Sequence, residues 1–445
     1  MYRYNFYYPG LNPNTRTPDV DLWPFNPELK YSNGSVLFHS HEYGIKHSAK
    51  NNFIDNAAVV DYIIQTEKPF RYFYYVSLDM ARLKQINLFA GGNNSRTQLQ
   101  FYIPTAVRRD INAGNAKIVL DNCLEGFDNR RFNWQPLWDS SQLQPTNFIF
   151  VTGDKSLNTS SDIPTVYRNA WEKKMSYACC DNRSRQHVNQ MIENISHKKT
   201  RPFYGLALNR LMRAHRIGLV KKLTDFALQD KVNYSFGIVT HHGSDSPDAK
   251  NWDANAHNQI VRHAANMFRI DEHELHEWIG SHGEHNIAQE PKLNLHINHA
   301  SNFEDAVYRA YAESYFSVVA ETHFDSNSVF QSEKIFKPIM MLQPFVAFGE
   351  PGTIREMKNL GYDVFEDFIN HSYDTHEDPY HRLDSLVREV DRLCRFSKQR
   401  WDDIMIKMLP RLIKNYQHLL QAPLRYNEIH APMYQGQTVM FPSHH

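Results

Sequence analysis

Short runs of apolar and β-branched residues recur along the chain, each bounded by polar or turn-forming residues. Several of these runs lack the strict alternation of a half-exposed strand, which is typical of strands buried on both faces of a parallel sheet. The runs predict strands over 35–40, 70–78, 117–122, 148–154, 202–209, 234–240, 294–298, 316–321 and 344–349.

Helical periodicity separates the predicted strands. Apolar positions recur at helical spacing over 56–67, 103–114 and 210–228. A last apolar stripe over 397–420 predicts a long helix that Pro410 should kink, followed by an irregular tail. Strands that alternate with helices predict an α/β fold with mostly parallel sheets, arranged as two Rossmann-like domains.

A polar stretch over 194–202 divides the pattern into two series of strands and helices and predicts the domain boundary. The predicted organisation is an N-terminal Rossmann-like domain over 1–198, a second over 199–396, and a C-terminal helix and tail over 397–445. With 445 residues in all, each half has about the size of one such domain.

The composition excludes several classes of protein. Apolar residues make up 41% of the chain, which is too many for a mainly disordered protein. The 49 basic residues balance the 49 acidic residues, so the molecule lacks an overall basic field for nucleic acid. The four cysteines form neither a disulfide framework nor a zinc motif. Because the sequence shows neither a signal-peptide pattern nor an apolar run of roughly 18 residues, we expect a cytoplasmic protein.

The densest group of candidate functional residues lies over 316–352. A predicted strand ends at Glu321, and after a polar loop Ser332 stands at an N-cap position, with Glu333 and Lys334 opening the next helix. A helix N-terminus at the carboxyl end of a strand favours a phosphate, and Lys334 adds a positive charge. Glu321 or Glu333 could accept hydrogen bonds from ribose hydroxyls. The segment therefore fits a nucleoside diphosphate, although it also fits a well-capped helix on a solvated face.

The same segment resembles the donor-binding part of GT-B glycosyltransferases, specifically the α1,3-fucosyltransferase type. The matching positions are Glu321 at a strand end, the helix start Ser332-Glu333-Lys334-Ile335-Phe336, and the strand Pro344-Phe345-Val346 followed by Gly349. The resemblance implies two domains that face a cleft, with a nucleotide-sugar donor held by the second. The donor-binding residues that it implies in this segment are Glu321, Ser332, Glu333, Lys334 and Gly349.

The segment is also similar to glycosyltransferase-like proteins of large bacteriophages. They share the Ser-Glu-Lys helix start and a following pattern that matches Gly352-Thr353 and Leu360-Gly361-Tyr362 here. For a viral protein the expected location is the host cytoplasm. The resemblance covers about 200–375, which is less than half of the chain.

A second element, the strand and arginine-rich helix over 206–223, supports the resemblance. Such families place an arginine at this helix start to neutralise the donor pyrophosphate, and Arg216 matches best, followed by Arg213. The guanidinium group suits a phosphate because it can donate two parallel hydrogen bonds. A charged, solvated helix face is the alternative interpretation for each arginine taken singly.

Sugar transfer also needs a base beside the acceptor hydroxyl, which we expect in the first domain. Glu125 and Asp121, near the carboxyl end of the predicted strand over 117–122, are the first candidates because the adjacent Gly126 permits close approach. The other carboxylate and histidine candidates near strand ends are Glu42 with His39 and His41, and Asp154. The sequence does not choose among these sets, and each also fits a structural role.

The histidine pairs are weak metal candidates. His39 with His41, His273 with His276, and His282 with His285 have ligand-like spacing, but no HExxH motif occurs. Asp19-Val20-Asp21 resembles the Asp-x-Asp of metal-dependent transferases but precedes the first substantial α/β unit. We expect no metal and no cofactor apart from the nucleotide sugar as substrate.

The sequence thus predicts a glycosyltransferase, hexosyl- or fucosyltransferase-like, that inverts the anomeric centre without a metal and acts on a glycan or another hydroxyl-bearing acceptor. One alternative keeps the fold and takes hydroxymethylated bases of phage DNA as acceptor, which the balanced charge disfavours. Another is a non-catalytic carbohydrate-binding or virion structural protein on the same scaffold. Hydrolysis of a nucleotide sugar would separate an enzyme from a binding protein.

Overall fold

The computed structural model describes most of the second half of the chain and separate pieces of the first half. The described residues are 5–7, 72–77, 109, 111–114, 116–122, 143–154, 165–167, 169–179, 182–209, 212–237, 254–283, 305–324 and 329–422. The residues divide into two compact units, and the second unit spans Trp171–Pro423.

Within its described residues, the first unit holds a parallel sheet whose strands lie in chain order. These strands are β1 (Asn5–Tyr7), β2 (Tyr72–Ser77), β3 (Ala116–Asn122), β4 (Phe148–Thr152) and β5 (Thr165–Tyr167). The apolar runs predicted β2, β3 and β4 to within two residues at each end. β1 and β5 were not predicted because a three-residue strand carries too little periodic pattern.

The second unit holds a parallel sheet in the order β7-β6-β8-β9. Its strands are β6 (Phe203–Ala207), β7 (Val232–Tyr234), β8 (Ser314–Ala320) and β9 (Phe345–Phe348). Every residue of β8 and β9 is buried, as expected for strands covered on both faces. The parallel sheets confirm the predicted α/β class. We call the edge formed by the carboxyl ends of β6–β9 the carboxyl edge of the second sheet.

Helices connect these strands and cover the second sheet. They are α1 (Ala170–Cys179), α2 (Asn182–Ser196), α3 (Ala214–Asp225), α4 (Ala254–Phe268), α5 (Glu272–His282), α6 (Asp305–Ala312), α7 (Glu333–Met340), α8 (Thr353–Asn359), α9 (Pro379–Cys394) and α10 (Lys398–Leu420). In the part of the chain that the structure describes, none of them is long and apolar enough to cross a membrane.

The C-terminal helix α10 is an integral part of the second unit. It packs against α2 and α7. Its Trp401 is fully buried and stacks on Tyr315 and Phe316 of β8 with ring centroids 5.5 Å apart. The sequence predicts this helix correctly but separates it as a segment from 397 onward, whereas the compact unit includes it.

The polar stretch predicted as the domain boundary is packed within the second unit. The guanidinium of Arg201 is buried and donates to the Ser314 carbonyl at 2.6 Å, and Lys198 Nζ lies 2.6 Å from Asp403 of α10. The compact unit therefore begins earlier, at Trp171, and contains α2. Charged residues in this stretch resemble a solvated linker in sequence, but here they find partners on β8 and α10.

Candidate nucleotide-binding site at a strand end

The end of β8 and the start of α7 are joined through one carboxylate. Glu321 directly follows β8 and is fully buried. Its side chain accepts hydrogen bonds from the Ser332 hydroxyl, from the Ser332 N–H at 3.3 Å and from the Thr322 N–H at 3.1 Å. Ser332 in turn caps α7 by accepting from the Lys334 N–H at 3.3 Å. The predicted N-cap is therefore confirmed, and Glu321 holds it in place.

Lys334 projects its ammonium group over this junction. Its Nζ lies 3.0 Å from Thr322 Oγ1, 3.2 Å from Ser332 Oγ and 2.8 Å from Glu333 Oε1. The protein holds the ammonium group through these contacts, and the side chain as a whole is 24% exposed. This combination suits a cation that meets an incoming anion.

The two neighbouring carboxylates differ in their tendency to ionise. Burial raises the pKa of Glu321, and the charge of Lys334 only partly opposes this effect. Burial also raises the pKa of Glu333, but the charges of Lys334 and Lys337 and the hydrogen bond from Lys334 outweigh it and lower the pKa to about 2. Glu333 is therefore an ionised partner of Lys334 at neutral pH.

Donors from two helices fix the backbone just after β8. Arg213, the N-cap residue of α3, donates to the Thr322 carbonyl at 2.6 Å. His215 Nε2 lies 2.8 Å from the Glu321 carbonyl and carries the proton of that bond, since a carbonyl only accepts. Arg382 of α9 donates to the Phe324 carbonyl at 3.0 Å. The start of α3 is thereby fastened to the end of β8.

The structure therefore brings Arg213, Glu321, Ser332, Glu333 and Lys334 together at the carboxyl edge of the second sheet. Arg216 lies in the first turn of α3 and is only 3% exposed. Arg213, which the sequence ranks after Arg216, donates to the loop after β8.

Gly349 belongs to the same edge for a steric reason. A Cβ atom there would lie 2.7 Å from Thr353 Oγ1 and 3.2 Å from Glu321 Cβ. Only glycine lets the chain leave β9 so close to Glu321. The neighbouring helix start, that of α8, is occupied within the protein, because the buried Asp374 carboxylate accepts from the N–H groups of Ile354 and Arg355 at 3.0 and 3.1 Å.

Sequence reasoning missed three residues that organise this edge: His215, Asp374 and Arg382. Each acts on backbone groups that lie far away along the chain, so local pattern gives no signal for it. Asp378-Pro379 does mark the start of α9, the helix that carries Arg382, because Asp378 caps it and proline suits the first helical turn.

Two of the candidate bases, Asp121 and Asp154, lie in the described part of the first unit. Asp121 is on β3 in register with Val151 of β4, and Asp154 follows β4 and is 1% exposed. These two positions belong to the carboxyl ends of neighbouring parallel strands. Glu125, Glu42, His39 and His41 lie outside the described residues.

Some of the metal candidates lie within the described residues and others lie outside them. His273 and His276 pair along α5 with Glu277 and Glu272, and His282 Nε2 lies 3.0 Å from the Tyr234 hydroxyl. Across the described ranges, no three His, Cys, Asp or Glu side chains are grouped to hold a metal ion. The remaining candidates, His39, His41, His285, Asp19 and Asp21, fall outside those ranges.

Comparison with known proteins gives weak structural matches only. No family model and no curated protein matches the chain. One solved structure, from E. coli, is described as trehalose-6-phosphate bound with UDP-2-fluoro glucose; it has a TM-score of 0.38 and 10% identity, with 83% of this chain and 76% of that chain covered.

Two further matches are similar in strength. An alpha,alpha-trehalose 6-phosphate synthase from Burkholderia multivorans has a TM-score of 0.36 and 9% identity over 87% of this chain and 76% of its own. A glycosyltransferase from Rickettsia africae has a TM-score of 0.30 and 10% identity over 88% and 85%. At these TM-scores the similarities carry no argument on function, which rests on the site itself.

Proposed function

We propose that this protein is a glycosyltransferase of the GT-B type, which moves a sugar from a nucleotide-sugar donor to an acceptor hydroxyl. The observation that carries the proposal is the partly exposed side chain of Lys334, whose ammonium is held at the start of α7 beside the loop to which Arg213 is bound. A cation at a helix N-terminus on the carboxyl edge of a parallel sheet is suited to a diphosphate.

The diphosphate would lie against the start of α7. There the helix dipole and Lys334 favour negative charge, and Arg213 and Arg216 at the start of α3 add positive charge. Charge grows on the diphosphate as the bond to the sugar breaks, and prearranged cations stabilise that charge without reorganisation. In this scheme the protein's own cations supply the stabilisation, so the transfer is metal-independent.

The acceptor hydroxyl would attack the anomeric carbon from the side opposite the leaving diphosphate and invert its configuration. A base must remove the hydroxyl proton, and we assign this role to Glu125 or Asp121 in the first unit. Asp154 is the reserve candidate, because it follows the neighbouring strand β4. General-base catalysis of this kind typically contributes about 10²–10⁴-fold to rate.

The experiment that tests the proposal is a thermal-shift screen of the full chain with UDP, GDP, UDP-glucose and GDP-fucose. A ligand present at 100 times its dissociation constant adds about 2.7 kcal/mol to the free energy of unfolding. A rise in melting temperature with a nucleotide sugar, followed by release of its nucleoside diphosphate when acceptor is added, supports a transferase. No shift with any of the four ligands would count against the donor site.

A further inference from the structure

Two buried amide side chains at the carboxyl edge of the second sheet have no hydrogen-bond partner. Asn209 follows β6 by two residues and is 1% exposed, and Gln331 directly precedes the N-cap of α7 and is 2% exposed. Among the residues that the structure describes, no partner contacts the side-chain oxygen or nitrogen of either amide. Buried polar groups are nearly always hydrogen-bonded, so this pair requires an explanation.

Both amides lie at the carboxyl edge of the second sheet, to which the groups of the proposed donor site also belong. The backbone of Asn209 is held between two strand ends, because its N–H donates to Ser235 Oγ at 2.9 Å and its carbonyl accepts from the Gly237 N–H at 3.0 Å. Gln331 adjoins Ser332, whose N–H donates to Glu321. Since β6 and β8 are neighbours, the two amides belong to the same edge.

We infer that Asn209 and Gln331 hydrogen-bond hydroxyl groups of the bound nucleotide sugar, an inference that rests on the proposed function. A carboxamide offers two N–H donors and a carbonyl acceptor, which matches hydroxyl groups that both donate and accept. Uncharged amides suit the neutral sugar and ribose, whereas the cations suit the diphosphate. Both amides are buried in this structure, at 1% and 2% exposure, so ligand binding would have to uncover them.

Gln343 shows how a purely structural amide is satisfied in the same unit. It is 1% exposed and lies just before β9, at the opposite edge of the sheet. Its Nε2 donates to the Tyr311 carbonyl at 2.6 Å and to the Ser314 carbonyl, and its Oε1 accepts from Ser317 Oγ at 2.7 Å. It therefore provides a matched control for Gln331.

The test compares Asn209→Leu, Gln331→Met and the control Gln343→Met in the full chain. Replacing an unpartnered buried amide by an apolar side chain of similar size removes an unsatisfied group, so the melting temperature without ligand should not fall for the first two variants. Their dissociation constants for UDP-glucose or GDP-fucose, whichever the wild type binds better, should rise about threefold to tenfold by calorimetry. Gln343→Met should melt at a lower temperature and bind as the wild type does.

The dissociation constant of the matching nucleoside diphosphate, measured for the same variants, distinguishes hydroxyl groups of the transferred sugar from those of the ribose. Weaker binding of the nucleotide sugar alone assigns the amides to the transferred sugar, and weaker binding of both ligands assigns them to the ribose. Wild-type affinity in both variants, whatever their melting temperatures, overturns this inference and leaves the proposed function intact. Failure of the wild type to bind any of these ligands overturns both.

Discussion

At the scale of single residues, the carboxylate of Glu321 connects the end of β8 to the helix cap Ser332, two features that the sequence presents separately. Because it accepts from Ser332 and Thr322, it orients the start of α7 within the protein. The sequence predicts Ser332 as a cap and Lys334 as a cation, and these assignments follow from local pattern. It does not predict that Glu321 and Ser332 hydrogen-bond across eleven positions, because the loop between them has no periodicity to fix its path.

The first prediction concerns Lys334. Lys334→Met should weaken binding of a nucleoside diphosphate by at least roughly tenfold, because a charge-assisted hydrogen bond contributes about 1.5–3 kcal/mol. Lys358→Met is the matched control, since Lys358 pairs with Glu366 at 2.7 Å on an exposed surface. Calorimetry on both variants checks the result. If Lys334→Met binds the nucleoside diphosphate as tightly as Lys358→Met does, Lys334 does not belong to the donor site.

The second prediction compares a glycine whose Cβ position is crowded with one whose Cβ position is open. Gly349→Ala should lower the free energy of unfolding by about 1–3 kcal/mol, because the new methyl group meets Thr353 and Glu321. Gly280→Ala should raise it by up to about 1 kcal/mol, because Gly280 lies in α5 with nothing within 4 Å of its Cβ position. Denaturant unfolding measures both changes, and the same sign for both would contradict this packing.

At the scale of elements, Arg411 makes the ion pairs that connect α10 to the loop after α8. Arg411 makes paired hydrogen bonds to Asp363 at 2.6 and 2.9 Å and to Asp367 at 2.9 and 2.8 Å. Burial alone would raise the pKa of Asp363, but the hydrogen bonds of Arg411 outweigh it and lower the pKa. The same hydrogen bonds are the main cause of the lowered pKa of Asp367.

The third prediction follows from the sign of these shifts. A carboxyl whose pKa is lowered on folding stabilises the protein above its unfolded pKa of about 4, and this contribution is lost as the pH falls through the folded value. Arg411→Met should therefore cost about 1 kcal/mol at neutral pH, a modest value because the group is partly exposed, and much less near pH 2.

Lys414→Met, one turn further along α10 and exposed, is the control for this effect. Its free energy of unfolding should show the same pH dependence as the wild type in denaturant titrations. A cost for Arg411→Met that stays constant between neutral and acid pH would contradict an electrostatic origin.

The sequence predicts elements well where apolar runs are long and less well elsewhere. β8 and β9 are found because every residue in them is apolar or small and buried. The run over 234–240 predicts a strand, but β7 spans Val232–Tyr234 and consists of the less conspicuous Val-Asn-Tyr. The start of α8 depends on Asp374, about twenty positions away, and such long-range capping leaves no local pattern.

At the scale of the whole molecule, the division predicted from the sequence and the division into compact units place the boundary differently. The sequence predicts a domain boundary over 194–202 because this stretch is polar, yet Arg201 is buried and donates to the Ser314 carbonyl at 2.6 Å. Polar residues mark a boundary only where they remain solvated, and that depends on the partners that the fold supplies. α2 and α10 pack against each other and belong to the same compact unit.

The last prediction compares two fragments that represent the two divisions. A fragment of residues 171–423 should unfold in one cooperative transition, because it keeps α2, α10 and the stacking of Trp401 on β8. A fragment of 199–396 lacks both helices and exposes Tyr315 and Phe316, so it should show no cooperative transition and should aggregate. Calorimetry and size-exclusion chromatography separate these outcomes.

The longer fragment should also retain the rise in melting temperature with a nucleoside diphosphate while losing sugar transfer, since the proposed base lies in the first unit. If the shorter fragment unfolds cooperatively and the longer one does not, the boundary at 198 is favoured.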